Sequence, residues 1–365
     1  MVKKILLLAN RDFVIYNFRY ELVQKLIEEK YEVAICLPYG PKVDIMTDAG
    51  AAFIPLNIDG RGKNPFKDLV LMSDLKKIFS EYKPDIILMY TTKVDIYGGI
   101  VAGRLHIPYL LNVSGLGTAT GENGLLQSLM IYLYKKAVKN AECVFFQNKE
   151  NMEFFHQKHI VCKKEKLIPG SGVNVERWSY LEYPSEDEGI HFLFIARVIK
   201  QKGIEEYLET AKEIKGKYPY TYFHIMGPCD GDYGDVLKQL GEQGIIQYHG
   251  MVQDTRDYLR IAHCTIHPSF YPEGISNVCL ESAASGRPVI TTDNPGCRDT
   301  VEDFVTGYIV KEKNPKSFVR EVEHFLHLSW EQKRSMGMKG REKVKREFDR
   351  ELVINAYMKE IDSYD

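Results

Sequence analysis

Residues 267–299 have the sequence HPSFYPEGISNVCLESAASGRPVITTDNPGCRD. An apolar run ends in a loop rich in proline, tyrosine and glycine, an apolar-periodic segment follows, and Gly286-Arg287-Pro288 ends that segment before a second apolar run. This pattern predicts strand, loop, helix and strand. Ser276 and Asn277 are good N-cap residues, so the helix is expected to begin there with its free N–H groups directed at the loop. A helix N-terminus attracts anions.

Two carboxylates flank this helix start, Glu273 and Glu281, with seven residues between them. A carboxylate repels a phosphate but accepts hydrogen bonds from the hydroxyl groups of ribose and hexose rings. The pair therefore favours a ligand with a phosphate in the middle and a polyol on each side. The spacing alone fits equally well with an exposed loop glutamate and a solvated helix glutamate.

Two cations occur upstream in HFLFIARVIKQKGIEEYLETAKEI, residues 191–214. Arg197 ends an apolar run, and Lys202 immediately precedes a helix expected to open near Gly203. In open parallel sheets, ligands bind at this edge, outside the carboxyl ends of the strands. An isolated loop arginine or lysine is usually a solvated surface charge. Beside Glu273 and Glu281, the two cations instead fit a diphosphate whose flanking sugars the carboxylates hold.

Together, these residues resemble the donor site of retaining family-4 glycosyltransferases of the GT-B architecture. The E-x₇-E motif, followed by G-R-P-V-I, and the upstream Arg/Lys pair carry the resemblance. The chain is similar end to end to bacterial members that extend lipid-linked (undecaprenyl diphosphate) surface-polysaccharide or glycan precursors. The resemblance implies transfer of a hexose or N-acetylhexosamine from a nucleotide diphosphate sugar, expected to be UDP-linked, to a lipid-diphosphate-linked glycan.

The resemblance also implies individual roles. Arg197 and Lys202 would bind the diphosphate. Glu281 would bind the ribose, and Glu273 the transferred sugar. The expected catalytic residues are Arg197, Lys202 and Glu273. The expected donor-binding set is Arg197, Lys202, Met251, Glu273, Gly274, Ile275, Ser276, Asn277, Val278 and Glu281.

The composition is that of a soluble globular protein: 365 residues, 44% hydrophobic and 27% charged. A net charge of −2 gives no support for nucleic-acid binding. Seven scattered cysteines without a C-x-x-C pair suit a reducing cytosol without structural zinc. No apolar run approaches the ~20 residues needed to span a bilayer. We therefore expect a cytoplasmic protein, peripheral on the inner face of the membrane because of its acceptor.

Strand-like and helix-like segments alternate along the chain, which predicts an α/β protein with two doubly wound, Rossmann-like domains. A polar, turn-rich stretch near residue 175 is typical of a linker. The resemblance assigns residues 1–175 to an acceptor-binding domain and 176–345 to a nucleotide-sugar-binding domain. Residues 346–365 would form a helix that crosses back to the first domain, with the active site in the interdomain cleft.

Two other motifs suggest different ligands. Residues 115–121, GLGTATG, imitate a dinucleotide fingerprint with one residue too many, and the acidic residue that such a site needs is replaced by Gln147-Asn148. NAD binding is therefore disfavoured. Asp230-Gly-Asp232 resembles a D-x-D metal motif, but it follows a predicted strand in a Pro/Gly/Asp turn. No metal or other cofactor is expected, because GT-B enzymes generally need no metal for chemistry.

The first domain departs from the commoner family pattern in two places. Residues 11–17 replace the usual Gly-Gly loop, and residues 112–120 lack the histidine that some members place near the anomeric carbon. Arg61 and Lys93 follow predicted strands in loops and are expected to bind the acceptor diphosphate. The expected acceptor-binding set is Asn17, Arg61, Lys93, Gly115 and Gly117.

No first-domain strand end offers a histidine or carboxylate with an obvious role as general base. This favours same-face attack with retention, in which the departing diphosphate oxygen takes the acceptor proton and the cations stabilise the leaving group. Two alternatives remain open: a nucleotide-sugar epimerase on the same architecture, and a non-catalytic nucleotide-sugar-binding subunit.

The segment 125–138, LLQSLMIYLYKKAV, is apolar almost all round, which is typical of a helix that is buried on every side or contacts lipid. Basic residues beside it fit anionic lipid headgroups. The lysines in question are Lys135, Lys136, Lys139, Lys158, Lys163, Lys164 and Lys166.

Overall fold

The computed structural model describes residues 2–59, 64–116 and 124–364. The chain divides into two compact units, Met1–Ser171 with Glu351–Asp365, and Gly172–Arg350. The second unit begins before the sequence-based break at residue 175 because the Val173 backbone pairs with the chain near its far end. Its N–H donates to the Phe348 carbonyl at 2.9 Å, and its carbonyl accepts from the Arg350 N–H at 3.0 Å.

The first unit is built around a seven-stranded parallel sheet. Its elements are β1 (Lys4–Leu8), α1 (Asp12–Glu28), β2 (Glu32–Leu37), α2 (Val43–Asp48), β3 (Ala52–Pro55), α3 (Pro65–Tyr82), β4 (Ile86–Tyr90), α4 (Thr92–Leu105), β5 (Tyr109–Val113), α5 (Leu125–Val138), β6 (Cys143–Phe146), α6 (Lys149–Gln157) and β7 (Glu165–Leu167). The strand order is β3-β2-β1-β4-β5-β6-β7. Helices α3 to α6 cover one face, and α1 and α2 cover the other.

The second unit is built around a six-stranded parallel sheet in the order β10-β9-β8-β11-β12-β13. Its elements are β8 (Ile190–Ile195), α7 (Ile204–Lys217), β9 (Thr221–Met226), α8 (Gly234–Glu242), β10 (Gln247–Tyr248), α9 (Arg256–Ile261), β11 (Cys264–His267), α10 (Asn277–Ala284), β12 (Val289–Thr292), β13 (Gly307–Val310), α11 (Pro315–His327) and α12 (Trp330–Glu347). Both units are doubly wound and Rossmann-like, so the predicted fold class is confirmed.

A last helix, α13 (Arg350–Asp362), returns to the first unit and packs on the α1 side of its sheet. Its Tyr357 is buried, and the Tyr357 hydroxyl accepts a hydrogen bond of 2.6 Å from Asn112 Nδ2. Glu360 on the same helix is buried and forms ion pairs with Lys164 and Lys166. Burial opposes ionisation of Glu360, but hydrogen bonds from the two ammonium groups lower its pKa. These contacts fasten α13 to β5 and β7.

Arg287 holds α10 in place. Its guanidinium is fully buried and donates to the carbonyls of Leu259, Leu181 and Glu182 at 2.7, 2.9 and 2.8 Å. Burial lowers its pKa to about 10, so the group stays protonated at neutral pH. The G-R-P sequence therefore does more than end a helix, because its arginine joins α10, α9 and the segment that leads into β8.

The described part of the chain contains no helix long and apolar enough to cross a bilayer.

Tyr357→Phe tests the attachment of α13. The change leaves the buried Asn112 amide without its acceptor, which should lower the free energy of unfolding by about 1–3 kcal/mol in urea denaturation. Tyr31→Phe is the matched control: the Tyr31 hydroxyl also contacts α13, through Asp362 at 2.8 Å, but in an exposed position. Equal losses for the two variants would show that the buried hydrogen bond does not hold the helix.

Candidate active site

Lys202 is placed by the turn that joins β8 to α7. A 3₁₀ turn, Lys200–Lys202, leads into Gly203, whose φ is 77°. A Cβ at Gly203 would lie 2.1 Å from the Pro268 carbonyl oxygen, so only glycine allows this close approach. The Phe270 N–H also donates to the Gln201 carbonyl at 3.0 Å. The β8–α7 turn is therefore held against the loop that follows β11.

The two loops meet in an ion pair between Lys202 and Glu273, whose side chains are each 15% exposed. Ser269 Oγ donates to Glu273 Oε1 at 3.1 Å, and His267 Nε2 lies 3.8 Å from the same oxygen. Burial opposes ionisation of Glu273, but the Lys202 ammonium and His267 hold the pKa of this carboxyl well below its usual range. Glu273 is therefore a permanent carboxylate at neutral pH.

Helix α10 begins directly after Ser276, as predicted, but Ser276 does not cap it. Its side chain forms no capping hydrogen bond, and Ser276 Oγ instead lies 3.2 Å from His267 Nε2. The Ser276 N–H donates to the Gly296 carbonyl at 2.8 Å. A Cβ at Gly296 would lie 2.1 Å from the Gly274 carbonyl oxygen. This packing fixes the loop between β11 and α10. Because the Ser276 side chain does not cap the helix, it leaves the N–H groups at the start of α10 without a side-chain cap.

Glu281 lies inside α10 in a different environment from Glu273. Burial raises its pKa to about 7, although Arg350 and Arg177 act in the opposite direction. The negative charge of Asp254 adds to the increase. The surroundings thus shift the pKa values of the two glutamates of the motif in opposite directions.

Arg197 follows β8 and faces Asp230. Its Nη1 lies 3.7 Å from Asp230 Oδ2, and the side chains are 33% and 44% exposed. The sequence had indicated only a turn at Asp230-Gly-Asp232. The structure shows that Asp230 is a carboxylate partner for Arg197, as Glu273 is for Lys202. An incoming anion would have to replace both carboxylates.

The segments that follow the neighbouring strands β8 and β11 carry Arg197, Lys202 and residues 273–278 of the expected donor set, at the carboxyl edge of the second sheet. Gly274, Ile275 and Ser276 are buried there, and Asn277 and Val278 are half-buried in the first turn of α10. Met251 stands after β10 with 75% of its surface exposed.

The expected acceptor residues fall in the first unit or outside the described residues. Asn17 lies within α1, which begins at Asp12, so residues 12–17 form the start of a helix. The Asn17 side chain is exposed. Gly115 follows β5, and its carbonyl accepts from Thr92 Oγ1 at 3.3 Å. Arg61 and Gly117 lie outside the described ranges.

Lys93 differs from its expected placement. It lies in the first turn of α4, not in a loop, and its side chain is only 12% exposed. Its Nζ is 2.7 Å from Asp68 Oδ1 and donates to the Asp59 carbonyl at 2.9 Å. The Lys93 ammonium group, which the sequence predicted to bind an acceptor diphosphate, is therefore paired with a carboxylate of the first unit.

His267, Glu273 and Cys297 lie close enough together to share a small cation. The Lys202 ammonium, however, already neutralises Glu273. Burial raises the pKa of the Cys297 thiol well above its usual range, whereas a metal needs the thiolate. The chemistry of the three side chains fits an ammonium partner better than a metal ion.

Comparison with known proteins agrees with this geometry. Residues 182–343 match the family "Glycosyl transferases group 1", and residues 4–148 match "Glycosyl transferase 4-like". The chain is a glycosyltransferase. It is 25% identical over 368 residues to the N,N'-diacetylbacillosaminyl-diphospho-undecaprenol alpha-1,3-N-acetylgalactosaminyltransferase of Campylobacter jejuni, covering 96% of each chain.

A second relative of the transferase is the UDP-Gal:alpha-D-GlcNAc-diphosphoundecaprenol alpha-1,3-galactosyltransferase of Escherichia coli, which is 22% identical over 317 residues with 80% of each chain covered. The crystal structure of Anabaena HepE in complex with UDP and glucose superposes with a TM-score of 0.79 at 16% identity, covering 99% of each chain. The solved structure supports the GT-B architecture.

The contrast between the two glutamates of the transferase predicts opposite pH effects. The pKa of Glu281 is raised by folding, so its ionisation should cost stability as pH rises from about 5 to about 8, and Glu281→Gln should gain thermal stability over wild type across that window. The pKa of Glu273 is lowered by folding, so its ionised form stabilises the protein at neutral pH. Glu273→Gln should therefore lower the melting temperature there. Thermal unfolding at several pH values measures both, and parallel shifts for the two variants would contradict the assignment.

Proposed function

We propose that the protein is a retaining glycosyltransferase that moves a hexose or N-acetylhexosamine from a UDP-sugar to a lipid-diphosphate-linked glycan in polysaccharide or glycan biosynthesis. The Lys202–Glu273 pair beside Arg197 carries this proposal. It combines two cations, a permanent carboxylate and an uncapped helix start at the carboxyl ends of adjacent parallel strands. A diphosphate with a sugar on one side and a nucleoside on the other satisfies all four features.

In this arrangement Arg197 and Lys202 exchange their internal carboxylates for the two phosphates. Glu273, released from Lys202, accepts hydrogen bonds from the hydroxyls of the transferred sugar, beside the N–H groups at the start of α10. Glu281 contacts the ribose, and because its pKa is about 7 it can accept or donate a hydrogen bond near neutral pH. Met251 lies after β10 at the position proposed for the base.

The proposed reaction proceeds on one face of the sugar. The bond between the anomeric carbon and the phosphate oxygen breaks, the acceptor hydroxyl oxygen forms the new bond on the same face, and its proton passes to the departing diphosphate oxygen. Arg197 and Lys202 stabilise the charge that develops on that group. Asp95 in the first turn of α4 does not offer a base, because it is 1% exposed and burial raises its pKa well above the usual range.

The acceptor assignment draws on the names of the two relatives, which both act on undecaprenol-diphosphate-linked sugars. We propose that the first unit binds the acceptor. Asn17, Lys93 and Gly115 are the candidate residues within the described ranges. Arg61 and Gly117 belong to the same proposal. Lys93 would have to leave Asp68 to reach a diphosphate. Because the proposed acceptor is lipid-linked, the protein would act at the membrane surface as a peripheral protein. The proposed reaction requires no metal.

Arg197→Ala and Lys202→Ala test the clamp. Each should lower kcat/KM for transfer by roughly 10²-fold, the scale for losing one preorganised partner of a leaving group. Lys200→Ala is the matched control, since Lys200 lies in the same turn but pairs with Glu205 in an exposed position.

The assay supplies UDP-sugars with a lipid-diphosphate sugar in detergent. Transfer of sugar with retention of configuration is the expected outcome. Formation of an epimer, or binding of UDP without turnover, would replace the proposal with one of the two alternatives. Activity of the alanine variants within a few-fold of wild type would remove the site assignment.

A further inference from the structure

An apolar surface covers one side of the first unit. Helix α4 lies between α3 and α5 and packs against both. The outer helices expose large apolar side chains toward solvent, among them Phe66 at 78%, Leu69 at 65% and Leu125 at 92%. Val70, Leu126 and Leu129 are also exposed. Exposed large apolar side chains grouped on one side of a domain often mark a surface that contacts a partner or a membrane. We call the outer side of α3, α4 and α5 the α3–α5 face.

A groove runs along the α3–α5 face above α4. Its volume is about 530 Å³, within the range of ordinary ligand sites. Leu69 and Met72 of α3, Tyr97 and Ile100 of α4, and Leu133 of α5 line it. The exposed side chains of Leu69 on α3 and Tyr132 on α5 border this largely apolar groove.

Four cations occupy one end of the same face. Arg104, Lys136 and Lys139 line the groove, and Lys135 stands beside them. All four are exposed, and within the part of the chain that the structure describes none of them forms an ion pair. Helix α5 contains no acidic residue, and the single carboxylate of α4, Asp95, is buried. The last turn of α3 adds Glu81, which is paired with Lys77 at 3.9 Å. The end formed by α4 and α5 is therefore positive, although the whole chain carries a net charge of −2.

The polarity along the face follows from the topology. In a parallel sheet the connecting helices run opposite to the strands, so α3 and α5 begin at the carboxyl edge of the sheet and end at the amino edge. The exposed apolar residues Phe66, Leu69, Leu125 and Leu129 therefore lie toward the edge that also holds Gly115. The cations at the ends of α4 and α5 lie at the opposite edge.

Three of the lysines that the sequence offered to lipid take no part in this surface. Lys163 is paired with Glu142, and Lys164 and Lys166 are paired with Glu360. Because their charges are engaged in ion pairs, headgroup contact by these three lysines stays a prediction. Arg104, Lys135, Lys136 and Lys139 on the α3–α5 face, by contrast, form no ion pair within the described residues.

We propose that the α3–α5 face docks the protein on an anionic phospholipid bilayer. The apolar side chains at the starts of α3 and α5 enter the interfacial layer, and Arg104, Lys135, Lys136 and Lys139 contact the headgroups. Docking in this orientation brings the carboxyl edge of the first sheet to the lipid surface. The inference rests on the proposed function, because it explains how the enzyme meets a lipid-linked acceptor.

Vesicle flotation measures the docking directly. Wild type should float with vesicles of phosphatidylcholine mixed with phosphatidylglycerol, and far less with phosphatidylcholine alone. The triple variant Lys135→Glu/Lys136→Glu/Lys139→Glu should bind at least 100-fold more weakly, since each basic residue near an anionic surface contributes about fivefold. The variant Leu125→Asp/Leu129→Asp should also lose binding. High salt screens the repulsion between the new aspartates and the anionic lipid, but it cannot replace the lost apolar contact, so it should not restore binding.

Matched controls carry the same changes elsewhere. Lys212→Glu/Lys238→Glu/Lys316→Glu alters the net charge equally at three exposed positions of the second unit, and Val161→Asp alters an apolar residue that is 79% exposed outside the three helices. Both controls should float like wild type. Equal loss in the charge control would show that binding follows net charge and not the α3–α5 face.

Transfer assays separate this inference from the proposed function. With acceptor in detergent, the docking variants should turn over like wild type, and with acceptor in vesicles they should lose activity in parallel with binding. A wild type that transfers sugar in detergent but binds no vesicles overturns the docking inference alone. Self-association in ultracentrifugation that Leu125→Asp/Leu129→Asp abolishes, without vesicle binding, assigns the face to a second copy of the chain. Vesicle binding without transfer would instead overturn the proposed function.

Discussion

The ion pair between Lys202 and Glu273 determines the geometry of the candidate site. A mostly buried pair offsets its desolvation cost only when the remaining lone pairs are satisfied, and Ser269 supplies that contact to Glu273. The pair joins the turn after β8 to the loop after β11, and Gly203 allows the two backbones to approach closely enough for it to form. The start of α10 is positioned by the same loop. The Phe270 N–H, which donates to the Gln201 carbonyl at 3.0 Å, holds the same two loops together and does not depend on the ion pair.

The same pair explains why two glutamates in one motif have different properties. Glu273 lies beside an ammonium group and remains ionised, whereas burial raises the pKa of the half-buried Glu281 to about 7 against the opposing charges of Arg350 and Arg177. Their separation along the chain is fixed by the motif, but their charges are fixed by the surroundings. A donor that is anionic in the middle and rich in hydroxyls at both ends can use this difference, because one end meets a carboxylate and the other a group able to donate or accept.

Much of this arrangement could be predicted from the sequence because it depends on local patterns. Apolar runs that alternate with amphipathic segments predicted both doubly wound sheets, and the segment after Glu273 predicted where α10 begins. The edge strand β3 is hard to predict because Ala52–Pro55 is short and only partly buried, so it lacks the continuous apolar character of the inner strands. Short helices such as α2 and α9, with six residues each, are hard to predict for a similar reason.

Features that depend on tertiary contacts could not be predicted. Nothing in the sequence indicates that Arg287 is buried among carbonyl groups, that Asp230 faces Arg197, or that Lys93 is neutralised by Asp68. Each of these pairs joins residues that are far apart along the chain, and their charges look like ordinary surface charges until the fold brings them together. The free charges that remain on the described surface are therefore more informative about partners than the charges counted in the sequence.

The central claim is that Lys202 exchanges Glu273 for the diphosphate of the donor. The most direct test is calorimetric titration of UDP and UMP into wild type and Lys202→Ala. The account predicts that wild type prefers UDP over UMP and that this preference falls at least about tenfold in the variant, the loss expected for one charge-assisted contact to the second phosphate. A preference for UDP that is unchanged in Lys202→Ala would contradict the account.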